Sequence, residues 1–145
     1  MFKKKQLSYP SDSKWSILNG HQNGKPMFIR RNESAKILAT HPEYSYRVGI
    51  AIPLLEPNDQ GLPTNTEIES LNIIEDKLVG SLELNQDSLQ VLSITTNGMR
   101  EFVFYTRNPE TIHSAISTIN KEVPQYELQF YINEDKKWKL YKQFT

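Results

Sequence analysis

The dipeptide Asn97-Gly98 constrains the fold more than any other feature of the sequence. A two-residue type I′ turn needs positive φ at both central positions, which Asn and Gly tolerate best. Apolar residues and threonines alternate on both sides of the dipeptide: Leu92, Ile94 and Thr96 before it, and Phe102, Phe104 and Thr106 after it. The pattern predicts a β-hairpin. Asn108 and Pro109 suit the N-cap and first position of a helix, which we expect to begin at once.

Four further stretches complete an alternating order of strands and helices. Period-two alternation over Tyr44–Leu54 predicts a strand with one core face. The capping box Thr64-Asn-Thr-Glu67 precedes apolar residues at helical spacing, and a second helix is predicted at about 109–122. Alternation from Tyr126 to Ile132 predicts a last strand. From Tyr44 onward the order is βαββαβ, which predicts an α+β, ferredoxin-like fold.

The rest of the chain lies on either side of this unit. Residues 1–13 are interpreted as a flexible arm, followed by a single α+β domain over 14–145. Within that domain we expect a β-hairpin with a longer loop at 14–32, the ferredoxin-like unit at 44–133, and a C-terminal helix or tail at 134–145. The hairpin either extends the sheet or covers its open face, and the sequence leaves both alternatives open.

Charge is unevenly distributed although the formal net charge is zero. Residues 1–50 carry nine Lys/Arg and three Asp/Glu, whereas residues 51–90 carry one Lys and eight Asp/Glu. Either these charges meet on one folded surface, or a basic face and an acidic helix contact different partners. We expect another protein as the partner.

Several classes of function lack their usual signatures. The chain has no cysteine and only three histidines, none with the i, i+4 spacing of a helical metal pair. We find no phosphate-binding loop, dinucleotide fingerprint or nucleophile elbow. We therefore expect no catalytic residues, no metal and no cofactor. No apolar run is long enough to span a bilayer and the N-terminus does not resemble a signal peptide, which favours no membrane and a cytoplasmic location.

Polar side chains on the predicted strands and first helix form one candidate site. One alternative is a polar cleft for a small ligand or substrate near Arg47, Glu75, Arg100 and Tyr105, with Glu101 as a further contact. On a strand, Glu101 and Tyr105 share one face and Arg100 lies on the other, so these three cannot all point into one pocket. The other alternative, which this strand geometry favours, is structural: each charge pairs with a neighbouring element, and Glu75 reaches Arg100 or Arg47.

A second candidate site is a surface for a protein partner. The acidic residues of the first helix, Glu67, Glu69, Glu75 and Asp76, are its predicted contacts. Trp138 and Tyr141 either pack onto the sheet as part of the tail or form an exposed aromatic patch.

RNA binding is a third, weaker alternative, because RNA-recognition motifs share the βαββαβ order. Phe102 and Phe104 alternate on the third strand of the unit as stacking aromatics would. Neutral net charge and Glu101 in the same strand argue against this function. We expect the two phenylalanines to form core beneath the N-terminal hairpin.

Short motifs spread over residues 15–144 resemble a known family. They are Trp15, Pro53-Leu54, Gly61-Leu62-Pro63, Leu71 with Ile74-Glu75-Asp76, Thr95 with Gly98, Arg100-Glu101, Phe104-Tyr105, and Asp135 with Trp138 and Tyr141. In order and spacing they resemble the bacterial domain of unknown function 695, which has no established activity. The architecture is also similar to that of the regulator of ribonuclease E activity B, an acidic protein inhibitor. The missing signatures, together with the acidic first helix and the basic N-terminal half, favour a non-catalytic protein-binding or regulatory module over an enzyme.

Overall fold

The computed structural model describes residues 9–144 and contains six strands and three α-helices in that range. In chain order they are β1 Trp15–Gln22, β2 Lys25–Asn32, β3 Tyr46–Pro53, α1 Asn65–Leu82, β4 Ser88–Thr96, β5 Met99–Thr106, α2 Ile112–Glu122, β6 Gln129–Glu134 and α3 Lys139–Gln143. Short 3₁₀ helices occupy Glu33–Leu38, Leu84–Gln86 and Pro109–Thr111. The N-terminal residues 1–8 of the predicted arm lie outside the described residues.

All six strands join one antiparallel sheet in the order β1-β2-β4-β5-β3-β6. The order β4-β5-β3-β6 is that of a ferredoxin-like unit, so the predicted α+β fold is confirmed. The N-terminal hairpin extends this sheet, because β2 pairs with β4 from Met27 opposite Thr96 to Arg31 opposite Leu92. Of the two alternatives left open by the sequence, the hairpin therefore extends the sheet and does not cover its open face.

The two hairpins have the same tight turn. Asn97 and Gly98 adopt φ of +50° and +79°, which confirms the predicted turn. Asn23 and Gly24 adopt +53° and +79°, and Gln22 lies opposite Lys25. The prediction of a longer first loop was wrong, because Asn19-Gly20 continues β1 instead of forming part of the turn.

Each face of the sheet carries a core. On one face α1 and α2 pack against apolar residues of β3 and β5, including Val48, Ile50, Phe102 and Phe104. On the other face α3 and the 3₁₀ helix Glu33–Leu38 cover a second cluster. Phe102 and Phe104 are core, but they lie beneath the helices and not beneath the hairpin, since the hairpin adds to the sheet edge. Both rings are buried and offer no surface for stacking RNA bases.

Candidate binding cleft

The sheet is wider than the helix layer, and this difference creates a cleft. Arg30 of β2 lies opposite Ser93, which lies opposite Phe102, so all three side chains point to the helix face. No α-helix covers β1 and β2 on this face in the described part of the chain. The resulting α1–β2 cleft has a volume of about 410 Å³. It is lined by Tyr9 to Ser13, Trp15, Arg30, Asn32, Glu75, Asp76, Val79, Glu83, Leu89 and Gln90.

An ion pair between Arg30 and Glu75 connects β2 to α1 across this cleft. The Gln90 side-chain amide donates to the same carboxylate oxygen at 2.7 Å. The Arg30 guanidinium also lies 5.1 Å from the centre of the Trp15 ring. The Arg30 side chain is 39% exposed and that of Glu75 is 13% exposed. Glu75 is therefore neutralised by a partner on the sheet, while the guanidinium remains accessible to solvent.

Glu83 and Tyr9 lie at one end of the α1–β2 cleft. The backbone N–H of Gln90 donates to Glu83 at 2.9 Å, and the Tyr9 hydroxyl donates to the Ser88 carbonyl at 2.8 Å. Burial raises the pKa of the Glu83 carboxyl, although these neighbouring donors act against the rise. Burial, with the Glu83 charge, also raises the pKa of Tyr9. Tyr9 thus holds residues 9–13, part of the predicted arm, along the cleft.

The side chains that line the α1–β2 cleft have an excess of negative charge. Asp12, Glu75, Asp76 and Glu83 contribute carboxylates, and Arg30 contributes the one cation among the lining residues. Asp76 is exposed, whereas Glu83 is half-buried. Because Arg30 neutralises Glu75, the remaining carboxylates favour a positively charged ligand.

The structure divides the predicted ligand residues between the two faces of the sheet. Glu75 lines the α1–β2 cleft. Arg100, on the same face, donates from Nε to the Thr95 hydroxyl at 2.7 Å, and burial lowers its pKa. Arg47 and Tyr105 point to the other face. The four residues therefore do not form the single polar cleft of the ligand-binding alternative, because cross-strand geometry directs them to opposite sides.

Arg47 and Tyr105 instead converge on Asp135. Arg47 donates to its carboxylate at 3.1 Å and the Tyr105 hydroxyl donates at 2.8 Å. Backbone N–H groups at the start of α3, those of Lys139 and Leu140, donate at 2.9 and 3.4 Å. Burial opposes the ionisation of Asp135, but these donors and Arg47 outweigh it and hold its pKa below the ordinary value. Asp135 is thus an intramolecular acceptor that fixes the tail.

Glu101 has a separate partner on that face. It accepts a hydrogen bond from the Tyr131 hydroxyl at 2.5 Å. The Tyr131 ring crosses Gly49 of β3, where a Cβ atom would come within 2.2 Å of the ring. Glu101 therefore takes no part in the hydrogen bonds to Asp135.

Trp138 and Tyr141, which were candidates for partner contacts, are buried in the core of the tail-covered face. Trp138 stacks on Tyr105 with ring centres 4.0 Å apart, and its indole N–H donates to the Tyr44 carbonyl at 2.8 Å. The Tyr141 hydroxyl donates to the Asn32 carbonyl at 2.6 Å. Their contacts are within this chain, as in the alternative in which the tail packs onto the sheet. We refer to Asp135, Arg47, Tyr105 and Trp138 together as the Asp135 cluster.

The acidic residues of α1 also differ in their surroundings. The Thr64 hydroxyl accepts from Glu67 N at 3.2 Å, as a capping box requires. The Glu67 carboxylate is buried and accepts instead from Leu55 N, at 2.6 Å, and from the Tyr126 hydroxyl, at 2.9 Å. Glu69 and Asp76 are exposed, but only Asp76 lines the α1–β2 cleft.

Sequence reasoning missed the partner of Glu75 and the contribution of Gln90. Arg30 shares a face of β2 with Phe28, but the distance of that face from α1 cannot be read from the sequence. That distance depends on β2 pairing with β4, which no local pattern specifies. Gln90 lies next to a register shift between Gln90 and Leu92 in β4, which breaks the alternation that would have indicated its direction.

Residues 9–144 contain neither a side-chain cluster suited to a metal ion nor a helix suited to crossing a membrane. No group of three or more His, Asp or Glu side chains in this range is arranged to hold a metal ion. Among the described helices, none combines the length and apolar character needed to cross a membrane.

The fold and cleft define a class of protein: an α+β domain with a ferredoxin-like unit, a sheet extended by two strands, and an acidic cleft beside the first helix. The chain belongs to a family of unknown function, DUF695, whose family model matches residues 13–145. No curated protein and no solved structure matches the chain. The similarity to the regulator of ribonuclease E activity B therefore stays a prediction.

Proposed function

We propose that this protein is a non-catalytic module that binds a positively charged segment of another protein in the α1–β2 cleft. The observation that supports this function best is the charge of the cleft, where four carboxylates accompany one guanidinium. A Lys or Arg side chain in the cleft would contact Asp76 at the rim and approach Glu83 at the inner end. By binding such a segment, the module would regulate its partner. A cytoplasmic location stays part of this proposal.

The arrangement of the carboxylates supports binding more than acid–base chemistry. Glu75 and Asp76 are consecutive on α1, so their side chains diverge by about 100° and cannot share a proton. Glu75 is held by Arg30 and by the Gln90 amide. A carboxylate with two donors already in contact is poorly prepared to accept a proton from a substrate.

The test is selection from a random peptide library displayed on phage, with the purified protein immobilised. We expect enrichment of peptides that contain Lys or Arg, and loss of their binding in Asp76→Lys. Glu110→Lys is the matched control, since Glu110 is also an exposed acid but lies outside the α1–β2 cleft. Both variants change the charge by the same amount, so a long-range electrostatic effect would reduce binding in both.

A third variant distinguishes the cleft from the whole acidic side of α1. Glu69 is exposed, lies two turns before Asp76 and does not line the cleft. Peptides that depend on Asp76 and not on Glu69 would support the cleft as the site. Equal losses from both would indicate a broader acidic surface, and enriched peptides without cations would contradict the proposal.

A small cationic ligand in the same cleft is the second candidate function. The volume of about 410 Å³ falls in the range of small-molecule sites. A metabolite screen by thermal shift would detect such a ligand, because a ligand at 100 times its Kd adds about 2.7 kcal/mol to stability. A shift that Asp76→Lys abolishes would favour this candidate over a protein segment.

A further inference from the structure

Among residues 9–144, strand β1 is an outer edge of the sheet, and its own residues lack the usual protection against pairing. Its eight residues, WSILNGHQ, include no Pro, Lys, Arg, Asp or Glu. Its register with β2 runs from Trp15 opposite Asn32 to Gln22 opposite Lys25 without a shift. Natural sheets protect edges with charged residues, prolines or bulges, since an open edge is a template for another strand. Within its own residues, β1 has none of these.

Alternate residues of β1 point their backbone groups away from β2. Gln22 flanks the two-residue turn, which makes it a hydrogen-bonded partner of Lys25. At the other end, the Glu33 N–H donates to the Lys14 carbonyl at 2.7 Å. Even-numbered residues therefore bond towards β2. The odd-numbered residues direct four N–H and four C=O groups outward; they are Trp15, Ile17, Asn19 and His21.

The side chains beside this edge are apolar and exposed. Ile17 is 72% exposed, and Phe28 on the adjacent strand is 42% exposed. Both lie on the helix face, because Ile17 is opposite Arg30 and Phe28 is opposite Thr95, a neighbour of Arg100 on that face. Open backbone groups and exposed apolar side chains thus occur at the same edge. Covering both would remove unfavourable contact with water.

We propose that a second copy of this chain pairs antiparallel with β1 about a two-fold axis at Leu18. In this register Leu18 faces its own copy, Ile17 faces Asn19, and Trp15 faces His21. All eight outward backbone groups of each β1 lie in hydrogen-bonding pairs across the axis. The two six-stranded sheets become one twelve-stranded sheet.

A second copy is the occupant that the charges favour. None of the facing pairs within the strand brings together two charges of like sign, since β1 contains only uncharged side chains apart from His21. The formal net charge of zero means that two copies do not repel each other at long range. The interface is also self-complementary, as two-fold symmetry requires.

The pairing adds a residue to the mouth of the α1–β2 cleft. Residues facing each other in an antiparallel pair project to the same side of the sheet. His21 of the second copy would therefore lie beside Trp15, which lines the cleft. The self-association is independent of what the cleft binds, so it stands or fails separately from the proposed function.

Disulfide trapping tests the register directly, because the natural chain has no cysteine. Leu18→Cys places two thiols in a non-hydrogen-bonded pair with Cα atoms about 4.5 Å apart, within the range that a disulfide requires. We expect mild oxidation to give a covalent dimer on a non-reducing gel. Asn133→Cys, an exposed position on β6 at the other edge, is the control. Cross-linking of Leu18→Cys no faster than the control would overturn the proposal.

Sedimentation of the unmodified protein tests the association without a cross-link. We expect the dimer fraction to rise with protein concentration up to about 1 mM, a range that detects weak complexes. Asn19→Pro removes an outward N–H and leaves the bonds to β2, so it should give a monomer with an unchanged circular dichroism spectrum. If the wild type stays monomeric throughout that range, the proposal is overturned. The edge would then be available only to a strand of another protein. If the Asn19→Pro variant is still a dimer, the interface is not at β1 and the proposal is overturned.

Discussion

The α1–β2 cleft and the Asp135 cluster lie on opposite faces of one sheet, and both combine a carboxylate, an arginine and an aromatic ring. In the Asp135 cluster the carboxylate accepts four hydrogen bonds from its own chain, and Trp138 is buried. In the α1–β2 cleft the Arg30 side chain is 39% exposed and Asp76 is open to solvent. The difference indicates that the first group holds the tail in place and that the second is available for a partner.

The largest expected effect is on the Asp135 cluster, from Trp138→Ala. The ring is buried, stacks on Tyr105 and donates to the Tyr44 carbonyl. Its removal leaves a large cavity and a buried carbonyl without its donor, so we expect the free energy of unfolding to fall by about 3–5 kcal/mol. Urea denaturation followed by circular dichroism measures this change. A loss below about 1 kcal/mol would contradict the structural role of the ring.

Asp135→Asn comes next. The substitution removes the charge that faces the Arg47 guanidinium, while the side-chain volume hardly changes. We expect a loss of about 3 kcal/mol, because a largely buried cation is left without its counter-charge. Asp76→Asn is the matched control in the α1–β2 cleft, and its effect should stay within about 0.5 kcal/mol. Equal effects from the two variants would remove the distinction between the two regions.

A smaller effect is expected for the ion pair of the α1–β2 cleft. Arg30→Ala, Glu75→Gln and the double variant form a thermodynamic cycle. Since more than a third of the Arg30 side chain is exposed, solvent screening should limit the coupling energy to about 1 kcal/mol or less. A coupling above about 3 kcal/mol would place this pair with the structural contacts of the Asp135 cluster and not with an open binding site.

The smallest effects separate the two regions by the sign of their pH dependence. The raised pKa of Glu83 means that the folded protein keeps a proton that the unfolded chain has released. The wild type therefore gains stability relative to Glu83→Gln as the pH falls from about 7 towards the ordinary value of 4.5. The lowered pKa of Asp135 has the opposite consequence: its contribution is present above the ordinary value of 3.8 and is lost as the pH falls below it.

Urea denaturation at several pH values checks both signs. Glu83→Gln should be the more stable protein near pH 7, with an advantage that shrinks on acidification. The loss of unfolding free energy caused by Asp135→Asn should stay constant down to about pH 4 and become smaller below that pH. A constant difference between Glu83→Gln and the wild type over the whole range would show that the environment of Glu83 does not favour its protonated form.

The sequence by itself determined the features whose energetics are settled within a few residues. Asn97-Gly98 specifies its turn because both residues tolerate positive φ, and Thr64 specifies the start of α1 because its hydroxyl accepts from Glu67 N. Period-two alternation identified β3 and β5 and the face that each side chain takes. These local features, in their order along the chain, were sufficient for the α+β class and the ferredoxin-like unit.

Only the tertiary structure decided which distant groups meet. The strand pattern of the hairpin is the same whether it extends the sheet or covers it, so the pairing of β2 with β4 was not readable. That pairing made Arg30, and neither Arg47 nor Arg100, the ion-pair partner of Glu75. It also left β1 as one outer edge of the sheet, with the α1–β2 cleft beside it. The physical reason is that alternation along a strand fixes only the direction of a side chain. Which residues lie next to that side chain depends on long-range strand pairing, so the sequence alone could not select one of several arginines as the partner of Glu75.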